Sequence, residues 1–207
     1  MGKLCVDKII IGVMETNCYL VYDEDTKKVI VVDPAKRGVY DTLINAGFTV
    51  DSVILTHGHF DHIMGCHEMQ EKGIKVYALD KEKALLEDAK LNASEGIRRP
   101  YTVEADGFFS DGQEVELAGL KFKVISTPGH TSGSCCYYFE DDKAMITGDT
   151  LFAGSVGRSD FPTGDEATII DSVHMLVDTF PGDVVIYPGH GNASTIEKEK
   201  RFNPFCS

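Results

Sequence analysis

The sequence predicts an α/β fold, a four-layer αββα sandwich forming a single domain over residues 1–207, in which two helix-covered sheets pack face to face. Three observations predict it. Each half of the chain runs strands first and helices afterwards, and the strands are numerous. Apolar strands end repeatedly in a metal-capable side chain. The triplet PGH occurs at 128–130 and again at 188–190, each time after an apolar strand, which hints at related halves.

The elements follow in order. KLCVDKIIIGV, NCYLVYD and KKVIVVDP, within residues 3–34, read as consecutive strands with turn material between them. Residues 36–47 have helical spacing, with Val39, Leu43, Ile44 and Ala46 apolar and Gly47 as the stop. VDSVILT is a buried strand, and DHIMGCHEMQEKG a helix opening at Asp61 and closing at Gly73. IKVYAL is the next strand and DKEKALLEDAKL the next helix, capped by Asp80. Residues 92–112 read as irregular. QEVELAG, LKFKVIST, SCCYYFE and KAMIT return to strands, and the loop GDTLFAGSVGRSDFPTGD follows them. A helix over 165–180, the strand DVVIYP and a short helix from about Ser194 complete the chain. No linker or low-complexity segment interrupts it.

Composition narrows the function. With 33 acidic against 20 basic residues the net charge is −13, which argues against a nucleic-acid partner and against an anionic membrane surface. A small-molecule substrate is the expectation. The N-terminal stretch lacks the pattern of a secretory signal, and Val6 stands where N-myristoylation of Met1-Gly2 would need Ser or Thr. The six cysteines form no CxxC pair and sit mostly among apolar residues, so free thiols in a cytoplasmic setting are expected.

Four strand ends carry the chemistry. VILT leads to His57, KVISTPG to His130, AMITG to Asp149 and VVIYPG to His190. If these strands end on one rim of the core, the four residues converge on one spot, held rigidly by the packed backbone behind them. Gly58, Gly129, Gly148 and Gly189 adjoin them, consistent with sharp turns where bulk has no room. In THGHFDH an extended loop points His57 and His59 the same way, so two imidazoles grip one ion. Asp61 and His62, at the start of the following helix, serve a second ion. Two ions sharing Asp149 account for all seven candidates. Histidine and carboxylate donors without thiolate suit zinc, and iron(II) or manganese as well. A shared carboxylate brings two cations to about 3.5–4 Å, where a bound water has its pKa lowered to about 7. His67 and His174, in predicted helices away from strand ends, read as ordinary histidines.

With these motifs the sequence resembles the metallo-β-lactamase superfamily. The likeness runs from NCYLV at 17–21 through THGHFDH, TPGHTSGS, ITGDTLF and GRSDFPTGD to YPGHG at 187–191. GDTLF followed by GRSDFPTGD is most similar to the glyoxalase II group, the hydroxyacylglutathione hydrolases, in its short single-domain bacterial form. The resemblance implies that His57, His59 and His130 hold one metal, that Asp61, His62 and His190 hold the other, and that Asp149 bridges them. It further implies two Zn2+ (or Fe2+ or Mn2+) per chain and hydrolysis of a thioester such as S-lactoylglutathione by a metal-bridging hydroxide, with Asp61 orienting it. Arg158 corresponds to a glutathione-contacting position, and its alternative is an ion pair with Asp160 or Asp165.

The chain departs from the pattern at two places. Two-domain members carry a C-terminal helical extension that binds glutathione, whereas here RFNPFCS follows soon after the last ligand. They also carry a tyrosine two positions past the final histidine, where this chain has Asn192. The thioester chemistry is therefore better supported than the glutathione moiety. The alternative is a mononuclear-iron persulfide dioxygenase using His57, His130 and Asp149, or another small-molecule metallo-hydrolase of the superfamily. Retention of His59, Asp61, His62 and His190 favours hydrolysis. The lack of an export signal disfavours a lactamase proper.

Overall fold

The computed structural model describes residues 3–206, so the Met1-Gly2 pair considered for acylation lies outside the described residues. Strands β1 (Leu4–Ile11), β2 (Thr16–Asp23) and β3 (Lys28–Val32) form an antiparallel meander. Helix α1 (Val39–Asn45) then crosses to β4 (Thr49–Ile54), which lies parallel to β3, and β5 (Lys75–Leu79) and β6 (Gly107–Phe109) extend the sheet in parallel. In the second sheet β7 (Glu114–Leu117), β8 (Leu120–Ser126), β9 (Cys135–Phe139) and β10 (Ala144–Gly148) pair antiparallel. Helix α5 (Glu166–Thr179) crosses to β13 (Val185–Pro188), parallel to β10, and β14 (Ser194–Thr195) closes that edge.

The two-residue period of the strands builds the layers. Along β3, Val29 and Val31 face α1 and the helix α3 (Cys66–Glu71), meeting Leu43 and Met69, while Ile30 and Val32 face the other sheet. There they meet Val124, Tyr137 and Ile146, the inner layer between the sheets. Cys136, Met145 and Ile186 point outward to Val173 and Leu176 of α5 and Ile196 of α6 (Ile196–Phe202). The expected four-layer sandwich is the observed one. All six cysteines are free thiols, five of them buried.

The sequence reading needs correction at several elements. The helix expected over 61–73 is two pieces, α2 (Phe60–Ile63) and α3, because Gly65 presses against the turn after β3. Its N–H donates to the Pro34 carbonyl at 2.6 Å, and a Cβ there would lie 2.4 Å from that oxygen. The helix begins at Phe60, with His59 rather than Asp61 in the capping position. The helix expected over 80–91 shrinks to a 3-10 turn at Asp80–Glu82 and α4 (Lys83–Leu86). The irregular stretch 92–112 contains β6, and the long loop after β10 contains a hairpin of β11 (Leu151–Phe152) and β12 (Ser155–Val156). The halves are alike in a way the PGH triplets do not mark. Both triplets belong to the second sheet, after β8 and β13, whereas the repeated unit is a three-stranded meander, a crossover helix and a parallel strand (β1-β2-β3-α1-β4 and β8-β9-β10-α5-β13).

Candidate metal centre

Strands β8, β10 and β13 run in one direction, because β8 and β10 each pair antiparallel with β9 while β13 is parallel to β10. Their C-terminal ends therefore share a rim. The end of β4 is tied to the same rim from the other sheet: the Tyr137 hydroxyl donates to the Leu55 carbonyl at 2.6 Å, and Cys135 N–H to the Thr56 carbonyl at 2.9 Å. His57, His130, Asp149 and His190 thus meet, although up to 133 residues separate them in sequence (190 − 57).

Two trios of donors face the rim, and a third grouping, Asp33 with His57 and His62, overlaps both from behind. In the first, His130 Nε2 lies 2.9 Å from His59 Nδ1 and 3.2 Å from His57 Nε2. In the second, Asp61 Oδ2 lies 3.6 Å from His62 Nε2 and 3.4 Å from His190 Nε2. Asp149 stands between them. Its Oδ1 is 3.6 Å from His62 Nε2, and its Oδ2 is 3.6 Å from His130 Nε2 and 3.5 Å from His190 Nε2. All seven expected ligand residues are brought together.

Groups behind the imidazoles fix which nitrogen faces inward. His62 Nδ1–H donates to Asp33 Oδ2 at 2.9 Å, His130 Nδ1–H to the Arg158 carbonyl at 2.6 Å and His190 Nδ1–H to the Met14 carbonyl at 2.9 Å. Thr56 Oγ1 donates its proton to Asp33 Oδ2, so at 3.1 Å it accepts from His57 Nδ1–H. Acceptors on the outer nitrogens leave four Nε2 lone pairs pointing into the site, the arrangement that holds metal-binding histidines in one tautomer. His62 Nε2 and Asp149 Oδ1 are buried and have no hydrogen-bond partner. Buried polar atoms without partners are costly unless something else meets them. Together with an all-His/Asp donor set, they make the site fit for a pair of divalent cations, held by His57, His59 and His130 and by Asp61, His62 and His190 across Asp149.

Electrostatics divide the trios. Burial and neighbouring imidazoles push His57 well below its ordinary pKa and His59 down to about 3. Burial alone would lower His62 and His190 too, but the carboxylates of Asp61 and Asp149, with Asp33 behind His62, outweigh it. They hold His62 up at about 9 and His190 at about 10. Asp61 and Asp149 are held below the usual carboxylate range, because His62 and His190 overcome the effect of burial.

Two functional residues escaped the sequence reading. Asp33, with φ 53°, ends the apolar run of β3, so the strand-end rule that singled out four candidate ligands covers it too. Glu82 is fully buried; its Oε1 accepts from Gly58 N–H at 2.8 Å and its Oε2 from Thr131 Oγ1 at 3.1 Å. It joins the loop of His57 and His59 to the loop of His130, and nothing in the charged run DKEK signals that. Above the donors lies a cleft of about 440 Å3, walled by Met14, Phe60, Phe152, Val156 and Phe161. Arg158 lines it, with its Nε and Nη2 donating to Asp160 Oδ1 and Oδ2 at 2.6 Å each. Asp165 instead caps α5, accepting from Thr168 N–H at 2.8 Å.

Comparisons with known proteins agree with this geometry. The chain is 34% identical over 203 residues to the probable metallo-hydrolase YqgX of Bacillus subtilis, covering 95% of each. It is 33% identical over 208 residues to the hydroxyacylglutathione hydrolase GloC of Haemophilus influenzae, covering 98% of each. Among solved structures it is similar to the BLEG-1 B3 metallo-beta-lactamase, with TM-score 0.91 and 32% identity over 98% of this chain and 100% of that one. It is also similar to TTHA1623 in a di-iron-bound form, with TM-score 0.83 and 27% identity over 97% and 100%. Residues 11–190 match the metallo-beta-lactamase superfamily, and with its fold and donor set the chain belongs to that family of metal-dependent hydrolases.

Proposed function

We propose that the chain is a binuclear metal-dependent thioester hydrolase acting on small acyl thioesters in the manner of a hydroxyacylglutathione hydrolase. The observation that carries the reading is the pair of donor trios flanking Asp149 beneath an open cleft, in a chain similar end to end to GloC. When bound, two divalent cations supply a water ionised near neutral pH and stabilise charge on the carbonyl oxygen under attack. The chain's own residues do the rest. Asp149 spans the trios with its two oxygens and holds them in register. Asp61, fixed by the Thr16 hydroxyl at 3.0 Å from its Oδ2, is placed to accept a hydrogen bond from the attacking water. Phe60, Phe152 and Phe161 wall the cleft and exclude bulk water from the acyl group.

A second reading is β-lactam hydrolysis at the same centre, favoured by the likeness to BLEG-1. Both readings are tested by assaying the protein loaded separately with zinc, iron and manganese on a thioester panel and on β-lactams, with Asp149→Ala in parallel. The thioesterase reading expects two ions per chain, thioester turnover exceeding lactam turnover, and loss of both metal and activity in the variant. Full turnover by a metal-free protein, or lactams as the better substrates, overturns it.

A further inference from the structure

The trio of Asp61, His62 and His190 is braced from the first sheet, and the brace centres on a residue that is not itself a ligand. Asn17, second residue of β2 and 1% exposed, reaches three carbonyls of the loop that carries His190. Its backbone N–H donates to the Gly189 carbonyl at 2.7 Å, and its Nδ2 donates to the carbonyls of Pro188 at 2.8 Å and Gly191 at 3.0 Å. One nitrogen with two hydrogens therefore grips the chain on both sides of the ligand. A hydroxyl carries one hydrogen and a carboxylate none, so among side chains of this length the link needs an amide.

His190 has little else to fix it. Its side chain is 26% exposed, whereas His57, His59, His62 and His130 are buried. Glycines flank it, and Gly191 adopts φ 77°, so the loop has no stiffness of its own. The other end of the Asn17 amide is also telling. Its Oδ1 is buried with no hydrogen-bond partner. An unmet acceptor in the interior costs stability, so stability alone does not account for an amide here. Turning the amide over would set Oδ1 against two carbonyls, which fixes the donor on the loop side. Neighbouring residues act on the same trio: the Met14 carbonyl accepts from His190 Nδ1–H at 2.9 Å, and Thr16 Oγ1 donates to Asp61 Oδ2 at 3.0 Å.

We propose that Asn17 is a positioning residue for the second cation, an inference that rests on the two-cation part of the proposed function. It holds the His190 loop from β2, and the cation at Asp61, His62 and His190 depends on it. The cation at His57, His59 and His130 does not, because Glu82 joins the loops of that trio.

The test reads metal binding, not turnover. Calorimetry of Zn2+ binding to the metal-free protein compares wild type with Asn17→Ala, Asn17→Ser, Tyr19→Phe and His190→Ala. Wild type is expected to give two binding events, and the event missing in His190→Ala belongs to the second trio. In Asn17→Ala that event is expected to weaken by about 10–100-fold while the other stays within about threefold. Both outer carbonyls keep a donor in this variant, the Tyr19 hydroxyl at Pro188 and Lys8 Nζ at Gly191, so the chain folds, which the melting temperature verifies. Asn17→Ser leaves a smaller cavity and reaches at most one of the two carbonyls, so the same event is expected to weaken; it carries the test if the alanine variant does not fold. Tyr19→Phe removes one bond to Pro188 but keeps the link across His190, and both events are expected to stay near wild-type strength. Unchanged binding in the Asn17 variants, equal weakening of both events, or the same selective loss in Tyr19→Phe overturns the inference and leaves the two-cation reading standing. A single binding event in wild type removes that reading and this inference together.

Discussion

Gly189→Ala isolates the contribution of Asp149 placement. A Cβ at this position would lie 2.1 Å from Asp149 Oδ1 and 2.9 Å from His62 Cε1. The Gly189 backbone is not left-handed, so alanine adopts its conformation without strain and the clash is the whole perturbation. To reach ordinary contact at 3.4 Å the carboxylate must retreat by about 1.3 Å (3.4 − 2.1). Displacement of a reacting group by about 1 Å costs about 10²-fold in rate, which corresponds to about 2.7 kcal/mol. The fold survives, because overpacking costs about 1–3 kcal/mol and each kcal/mol lowers Tm by about 2–4 °C in a domain of this size. The assay is metal content after desalting, kcat/KM on the best thioester, and Tm. Gly191→Ala is the control: its φ of 77° strains alanine, but no atom lies within 4 Å, so stability drops while metal content stays. A folded Gly189→Ala protein with wild-type metal content and kcat/KM within threefold of wild type refutes the reasoning.

Glu82→Gln swaps one acceptor for a donor facing Gly58 N–H or Thr131 Oγ1, and weaker retention of the ion at His57, His59 and His130 is expected, by about 10–100-fold, in a chelator competition. Burial pushes the Glu82 carboxyl up from 4.5 to about 7, so its contribution to metal-free stability is present below 4.5 and lost as pH rises through 7. The urea stability of wild type relative to Glu82→Gln therefore falls by about 3 kcal/mol across that window, and a pH-independent difference rejects the assignment. Cation release should be ordered as well. A cation competes with protons on His62 below about 9 and on His190 below about 10, but not on His59, held near 3. Acidification from pH 8 is expected to empty the Asp61, His62 and His190 trio first, read as metal per chain in wild type and in His190→Ala. Retention of the last ion by His57→Ala at low pH would contradict it.

Four of the seven candidate ligands were legible in the sequence because each follows the end of an apolar strand, and apolar β-branched runs make strands readable without coordinates. His57, His130, Asp149 and His190 all follow that rule, and so does Asp33 at the end of KKVIVVDP, which the reading did not single out. Glu82 obeys no local rule. Its burial depends on partners 24 and 49 residues away, so a charged run at helical spacing looks solvated until the loops close over it. The unbroken helix expected over 61–73 failed for the same reason. That helix ran across Gly65, and only the approach of the Pro34 carbonyl shows why the backbone must break there.

The residues that local patterns missed complete the charge balance of the site. Asp33, Asp149 and Glu82 are buried, and Asp61 is largely so. Among the described residues none of the four is paired with a lysine or arginine; histidines, hydroxyls and backbone N–H groups surround them. Without a metal the buried carboxylates are compensated by the charged His62 and His190 alone, an expensive arrangement since buried charge must be balanced. Fully ionised, the four carry a charge of −4, which two divalent cations at the trios balance. The placement is uneven in the sense the histidine pKa values require. The second trio contains Asp61 and has Asp33 behind His62, whereas the first is three imidazoles with Glu82 behind the loop that bears two of them. Removing Glu82 should therefore weaken the first ion, whereas removing Asp33 should weaken both, because Asp33 meets His62 directly and His57 through Thr56.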